Sequence, residues 1–157
     1  MVLAKSEPKI SLEQHIDDCL HICCQLKEAL PDITVRYGME FWKALRTAII
    51  LHDTGKSHVE FQKYLLGKNN EWYHQRHEMF SVYFAQNSDS RDILGSGGLL
   101  AILGHHKSLK DLYDFIDKND AIKMCYENID YYGVKELLIK YLKSNNEIDE
   151  VIRILKE

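Results

Sequence analysis

With 157 residues, 45% of them hydrophobic and 28% charged, the chain has the balance of a folded domain rather than a disordered polymer, and one domain over residues 1–157 is expected. No apolar run reaches the length of a membrane span, and the opening MVLAKSEPKI lacks the basic-then-apolar order of an export signal, so the expected location is cytoplasmic. The net charge of −4, with Lys and Arg scattered apart from a modest concentration near Lys107 and Lys110, excludes a strongly basic grip on nucleic acid. A nucleic-acid substrate would have to be held by bound metal or delivered by a partner.

The first predicted helix opens at Ser11, whose hydroxyl precedes Gln14 by three residues in a capping box. Leu12, Ile16, Cys19, Leu20, Cys23 and Leu26 form its apolar stripe, and Pro31 marks the stop. A second helix is expected from Met39 to His52; its last turn, Ala48-Ile49-Ile50-Leu51, is apolar all round and should lie deep in the core. Gly55 then breaks the helix. Ser57 to Glu60 reads as another capping box, opening a short helix through Leu66 that ends at Gly67.

GKNNEWY, residues 67–73, is a polar loop, followed by a helix from Arg76 to Gln86 and a second loop from Asn87 to Asp92. The next helix covers Leu99 to His105, beginning near Ser96. Three shorter helices are expected near Leu109 to Asp117, Val134 to Leu142 and Ile148 to Leu155. Alternating strands, repeats and low-complexity tracts are absent, so the fold class is all-α.

Cys19, Cys23 and Cys24 stand too close on one helix to bridge one another, and with Cys125 they read as reduced thiols. Cys19 and Cys23 share a face with His15, which raises a soft metal site. Free cysteine is more often simply buried, and the structural reading is preferred.

The chemistry lies in the histidines. His52-Asp53 ends one apolar helix and is followed by Thr54-Gly55-Lys56; His105-His106 ends another; His77 opens a third; His15 sits in the first turns of helix one. Imidazole nitrogens and carboxylate oxygens suit divalent transition metals. Neighbouring residues on a helix point roughly 100° apart, so a His-Asp pair at a helix end can address two adjacent ions. Two ions roughly 4 Å apart form a clamp for phosphodiester hydrolysis, one of them activating a water. A lone His-Asp is weak evidence, being also a common helix end with a turn-forming Asp. The joint pattern of histidines on four apolar helices is strong. His21, His58 and His74 fall outside it and read as packed or solvated residues. Lys56 can turn back toward the metals, where a cation would bind a phosphate oxygen.

These segments resemble the HD superfamily of metal-dependent phosphohydrolases, and more narrowly the HD nuclease domain of the CRISPR-associated type I nuclease-helicase. The matching pieces are SLEQH (Ser11 to His15), LHDTGKSHVEFQKYL (Leu51 to Leu65), RHEMFS (Arg76 to Ser81) and ILGHHK (Ile102 to Lys107). HDTGK followed by Phe61-Gln62 separates this branch from HD proteins that hydrolyse nucleotides. The resemblance implies a compact helical bundle in which Asp53 bridges two divalent ions. His15 and His52 would serve one ion, and His77, His105 and His106 the other.

The resemblance further implies that Lys56 lies near the scissile phosphate and that Ser81 is a supporting hydrogen-bonding residue. It implies cleavage of single-stranded DNA, with a helicase and a guide-RNA surveillance complex as partners. The family's late aspartate, in an Asp-Trp-Leu-Ala-Ser-like stretch, has no counterpart here; the ending NEIDEVIRILKE carries Asp149 without that signature. Two rival readings stand beside the nuclease: a phosphohydrolase acting on nucleotides or cyclic dinucleotides, and a degenerate HD fold that docks partners without cutting.

Overall fold

A computed structural model of the chain describes residues 1–70, 72, 76–86 and 90–106. Their order is β1 (Leu3–Lys5), β2 (Ile10–Ser11), α1 (Leu12–Ala29), α2 (Pro31–Leu51), a 3-10 turn (Thr54–Ser57), α3 (Val59–Leu65), α4 (His77–Gln86) and α5 (Ser90–Gly104). The helices expected at 109–117, 134–142 and 148–155 lie outside the described residues, as do His74, Lys107, Lys110, Cys125 and Asp149. No helix among the described residues is long and apolar enough to cross a membrane.

The all-α expectation holds. The one β element among the described residues is a short antiparallel hairpin pairing Leu3 with Ser11 and Lys5 with Ile10. Strands of three and two residues are too short to show an alternating pattern. The outer edge of β1 is closed by a side chain: the Gln62 amide accepts from Leu3 N–H at 2.9 Å and donates to the Leu3 carbonyl at 2.9 Å.

Helix α1 starts as its capping box predicts, with the Ser11 hydroxyl accepting from Gln14 N–H at 3.0 Å. Leu12, Ile16 and Cys23 are its buried residues, whereas Leu26 at the end of the expected stripe is exposed. The helix stops just before Pro31, as expected, and Pro31 itself opens α2. Proline has no N–H to lose at the first helical position and its φ is already helical.

The positive φ of Gly38 (72°) kinks α2, so the helix expected from Met39 is its second stretch. Across the kink the Trp42 indole N–H donates to the Thr34 hydroxyl at 2.7 Å. Ile50 and Leu51 in the last turn are fully buried, as the all-apolar turn predicts.

Two sequence expectations are corrected around α3. The residue that caps it is His58, whose Nδ1 accepts from Glu60 N–H at 3.2 Å; Ser57 instead donates to the Thr54 carbonyl at 2.7 Å inside the 3-10 turn. At the far end Lys68 N–H bonds to the Lys63 carbonyl and Gly67 N–H to that of Tyr64, with Gly67 at φ 64°. This is a Schellman stop, for which glycine is suited because it lacks a Cβ. The expected loop to Asp92 is shorter than predicted, since α5 begins at Ser90 and kinks at Gly95 (φ 56°) before running on to the histidine pair.

Helix α2 packs against α1 and α5, while α4 packs on α5 and the 3-10 turn. Ile16, Leu51, Phe80 and Ile102 lie at the centre, each at most 1% exposed. Each contributes roughly 1.5–3 kcal/mol of burial. Each also stands one to three residues from a histidine of the pattern: His15, His52, His77 and His105. The core therefore anchors four backbone positions whose histidines converge on one place.

Candidate metal centre

The centre is organised by the turn after α2. His52 caps the helix, its N–H still bonded to the Ala48 carbonyl at 2.8 Å, and its Nδ1 lies 2.7 Å from the Ile49 carbonyl. Asp53 then leaves helical geometry and drops its carboxylate into the interior, where the residue is 1% exposed.

Around that carboxylate the two oxygens face different partners. Oδ2 lies 3.3 Å from Nε2 of His15, 3.3 Å from Nε2 of His52 and 2.6 Å from Nζ of Lys56. Oδ1 lies 3.1 Å from Nε2 of His77 and 3.4 Å from Nε2 of His105. His106 stacks on His105, with ring centroids 4.0 Å apart, and lies 5.2 Å from the ring of His77. Two groups of possible ligand atoms result, each within 4.8 Å: Asp53 with His77, His105 and His106, and Asp53 with His15 and His52. All six residues singled out in the sequence meet here, and Asp53 belongs to both groups.

The hydrogen bonds on the outer nitrogens decide what the inner ones can do. Only a protonated Nδ1 can donate to a carbonyl, and both His52 and His105 place Nδ1 at 2.7 Å from one, those of Ile49 and Ile102. With the proton on Nδ1 and no second one on the ring, each leaves an Nε2 lone pair aimed at the Asp53 carboxylate. His77 turns its Nδ1 toward the Glu78 carboxylate, 3.4 Å away. Lone pairs facing a carboxylate in a buried space are relieved only by a proton or a cation between them. Asp53 Oδ1, His77 Nε2 and His105 Nε2 are indeed buried without a hydrogen-bond partner. The donor set thus fits a divalent transition metal, with outer bonds that orient the imidazoles as metal-ligating histidines require.

The electrostatics agree. Burial acts to raise the pKa of Asp53, but the close imidazoles of His105, His15, His52 and His77, each able to bring a proton to the carboxylate, outweigh it and hold the carboxyl well below the usual carboxylate range. For His105, burial favours the neutral ring, yet the facing Asp53 carboxylate and the Ile102 hydrogen bond win and raise its pKa. His106 is pushed down to about 4 by burial and by repulsion from His105 and His77. Burial also acts to raise Glu78; its own backbone hydrogen bond and the neighbouring His77 and Arg76 bring it below its ordinary value instead.

Lys56 does turn back as expected, and its buried ammonium pairs directly with Asp53. Gly55 acts differently from the helix-breaking role expected of it. The helix has already ended at Leu51, and Gly55 is buried against the backbone of His77. Ser81 is a supporting residue through the backbone, not through the His77 ring: its hydroxyl accepts from Gly55 N–H at 2.9 Å and donates to the His77 carbonyl at 3.0 Å.

His58 is packed against Trp72 and Phe80, and His21 lies exposed beside Gln25, so both stand apart from the centre. Cys19 is 4.0 Å from His15 Nε2, but neither group of possible ligand atoms includes a cysteine. With Cys23 it lines an apolar cavity of about 440 Å³ between α1 and α2. Sequence reasoning gave Glu78 no role, although it is 3% exposed, faces His77 and is held by Arg76 at 3.0 Å. The signal was the acid directly after the histidine in Arg76-His77-Glu78.

In comparison with known proteins, the family model described as HD domain matches residues 12–156. No curated protein and no solved structure matches the chain.

Proposed function

The chain belongs to the HD domain family, and on that premise we propose that it is a nuclease that cleaves single-stranded DNA with divalent metal ions, acting in CRISPR type I interference. The family's members are typically metal-dependent phosphohydrolases, which sets the reaction class. One observation carries the reading: Asp53 turns each of its two oxygens to a separate set of histidines. His77, His105 and His106 would hold one ion with Asp53, and His15 and His52 would hold a second with the same carboxylate. When bound, such ions supply Lewis acidity toward a phosphodiester and an activated water.

The protein's own groups have definable tasks. Asp53 remains anionic, and the Nδ1 bonds of His52 and His105 keep their Nε2 lone pairs aimed inward. Lys56 brings an ammonium that would pair with a phosphate oxygen as charge builds there. His106, the exposed member of the set, stays neutral at physiological pH and so adds no positive charge of its own.

The narrower substrate rests on HDTGK with Phe61-Gln62, the segment shared with the nuclease branch. In this fold Gln62 donates to the Lys56 carbonyl at 2.7 Å and the Phe61 ring lies 5.3 Å from that of His77. Those two residues thus support the metal-facing turn and one ligand. A chain with net charge −4 would receive its strand from a helicase and a guide-RNA complex.

The test is cleavage of single-stranded DNA with manganese, nickel or cobalt, run beside a panel of nucleotides. The parent should cut the strand, and Asp53→Ala should not. Lys56→Ala should cut roughly 10²–10³-fold more slowly, and His21→Ala should match the parent. Hydrolysis of a nucleotide with the strand left intact would overturn the nuclease reading.

A further inference from the structure

The two oxygens of Asp53 are not in equivalent states. Oδ1 faces His77 and His105, and all three of these atoms are buried without a hydrogen-bond partner. Oδ2 already carries a cation, the ammonium of Lys56 at 2.6 Å, in addition to the nearby Nε2 atoms of His15 and His52. The Lys56 arrangement is built into the fold. The residue is 7% exposed, its N–H bonds to the Asp53 carbonyl at 2.9 Å, and Gln62 holds its own carbonyl at 2.7 Å. The ammonium is thus aimed at Oδ2 by a short turn and a clamped backbone.

A divalent ion shared by Oδ2, His15 and His52 would need ligand distances of about 2.0–2.2 Å. It would then lie no more than about 4.8 Å from an ammonium still bonded to the same oxygen, with little solvent to screen the two charges. The oxygen also lacks lone pairs for every partner at once. Oδ1 meets no such competition.

We propose that Lys56 is a resident counter-ion for the His15/His52 half of the centre, and that the two halves fill in a fixed order. The first ion takes Asp53 Oδ1 with His77, His105 and His106. The second binds at Oδ2 only as Lys56 leaves it, which frees the ammonium for an incoming phosphate oxygen. Lys56 is in this sense a positioning residue that ties completion of the metal centre to the arrival of an anion. The proposal rests on the metal reading of the centre given above.

The test is calorimetric titration of metal-free protein with Mn²⁺. The parent should show a tighter and a weaker class of site. Lys56→Met, which keeps length and removes charge, should tighten the weaker class on the order of tenfold or more and move the tighter class less. Lys56→Arg, which keeps the charge, should leave the weaker class weak, and Lys56→Gln should behave like the Met variant if the Met variant fails to fold. A weaker class unchanged in both uncharged variants, or both classes lost together, would overturn the proposal. Parent protein that takes up no ion at all would overturn the metal reading itself, and this proposal with it.

Discussion

A Cβ placed on Gly55 would stand 2.1 Å from the carbonyl oxygen of His77 and 2.8 Å from the Cβ of Phe80. The turn that presents Asp53 and the helix that presents His77 therefore approach as closely as backbones can. Ser81 fastens the contact, receiving the Gly55 N–H and donating to the same His77 carbonyl. The 3.1 Å spacing between Asp53 Oδ1 and His77 Nε2 depends on this approach.

Gly55→Ala should accordingly push the turn off α4. The first obstacle is a backbone carbonyl, which cannot swing aside as a flexible side chain could. The loss of stability should reach or exceed the top of the roughly 1–3 kcal/mol range for overpacked sites, measured by urea denaturation. Metal affinity should fall with it. A variant as stable as the parent would contradict the close approach.

Glu78 offers a second test, of orientation rather than packing. Its carboxylate faces His77 Nδ1 at 3.4 Å and is itself held by Arg76 at 3.0 Å. Glu78→Gln keeps the shape and removes the charge that favours a proton on Nδ1. Metal affinity should drop by about 10–100-fold with helical content unchanged by circular dichroism. Unaltered affinity would show that His77 is oriented without it.

The metal-free protein should have a stability maximum in pH. His106 has a folded pKa of about 4, below its ordinary 6.5, so the unfolded chain binds the extra proton and stability rises with pH across that interval. His105 is shifted the opposite way, above 6.5. Its contribution is complete below 6.5 and is lost as pH climbs through the raised value. Melting temperature without metal should therefore peak near the ordinary histidine pKa and decline on the alkaline side. His105→Gln should flatten that decline. Added metal competes with the His105 proton, so it should stabilise more at alkaline than at acidic pH. A metal-free curve that rises steadily through the alkaline range would count against the raised pKa of His105.

Ser11, Gln14 and the all-apolar turn before His52 were legible because capping and burial are local, and so the positions of His15, His52 and Asp53 followed. That His77, His105 and His106 face the same carboxylate was legible only as a pattern of histidines next to apolar helix turns. Their convergence depends on Ile16, Leu51, Phe80 and Ile102 packing together.

The misreadings came from residues with two roles. Pro31 does mark the end of α1, as expected, but it also starts α2, ahead of the expected start at Met39. Gly55 fits a chain breaker by position, whereas the need for glycine comes from His77, 22 positions further along. Ser57 fits a capping box by spacing, but the tight turn takes its hydroxyl and leaves the cap to His58. Glu78 directly follows His77, but adjacency alone leaves open which way the His77 ring faces, and the role of the acid depends on that.

If Asp53 is the shared carboxylate of a divalent-metal centre, elemental analysis of purified protein will show it. Parent protein loaded with manganese, nickel or cobalt and freed of unbound ion should retain metal. Asp53→Asn, which keeps the side-chain shape and removes the charge common to both groups of ligands, should retain little or none while keeping its helical content. Equal metal content in the two proteins would rule out Asp53 as the shared ligand.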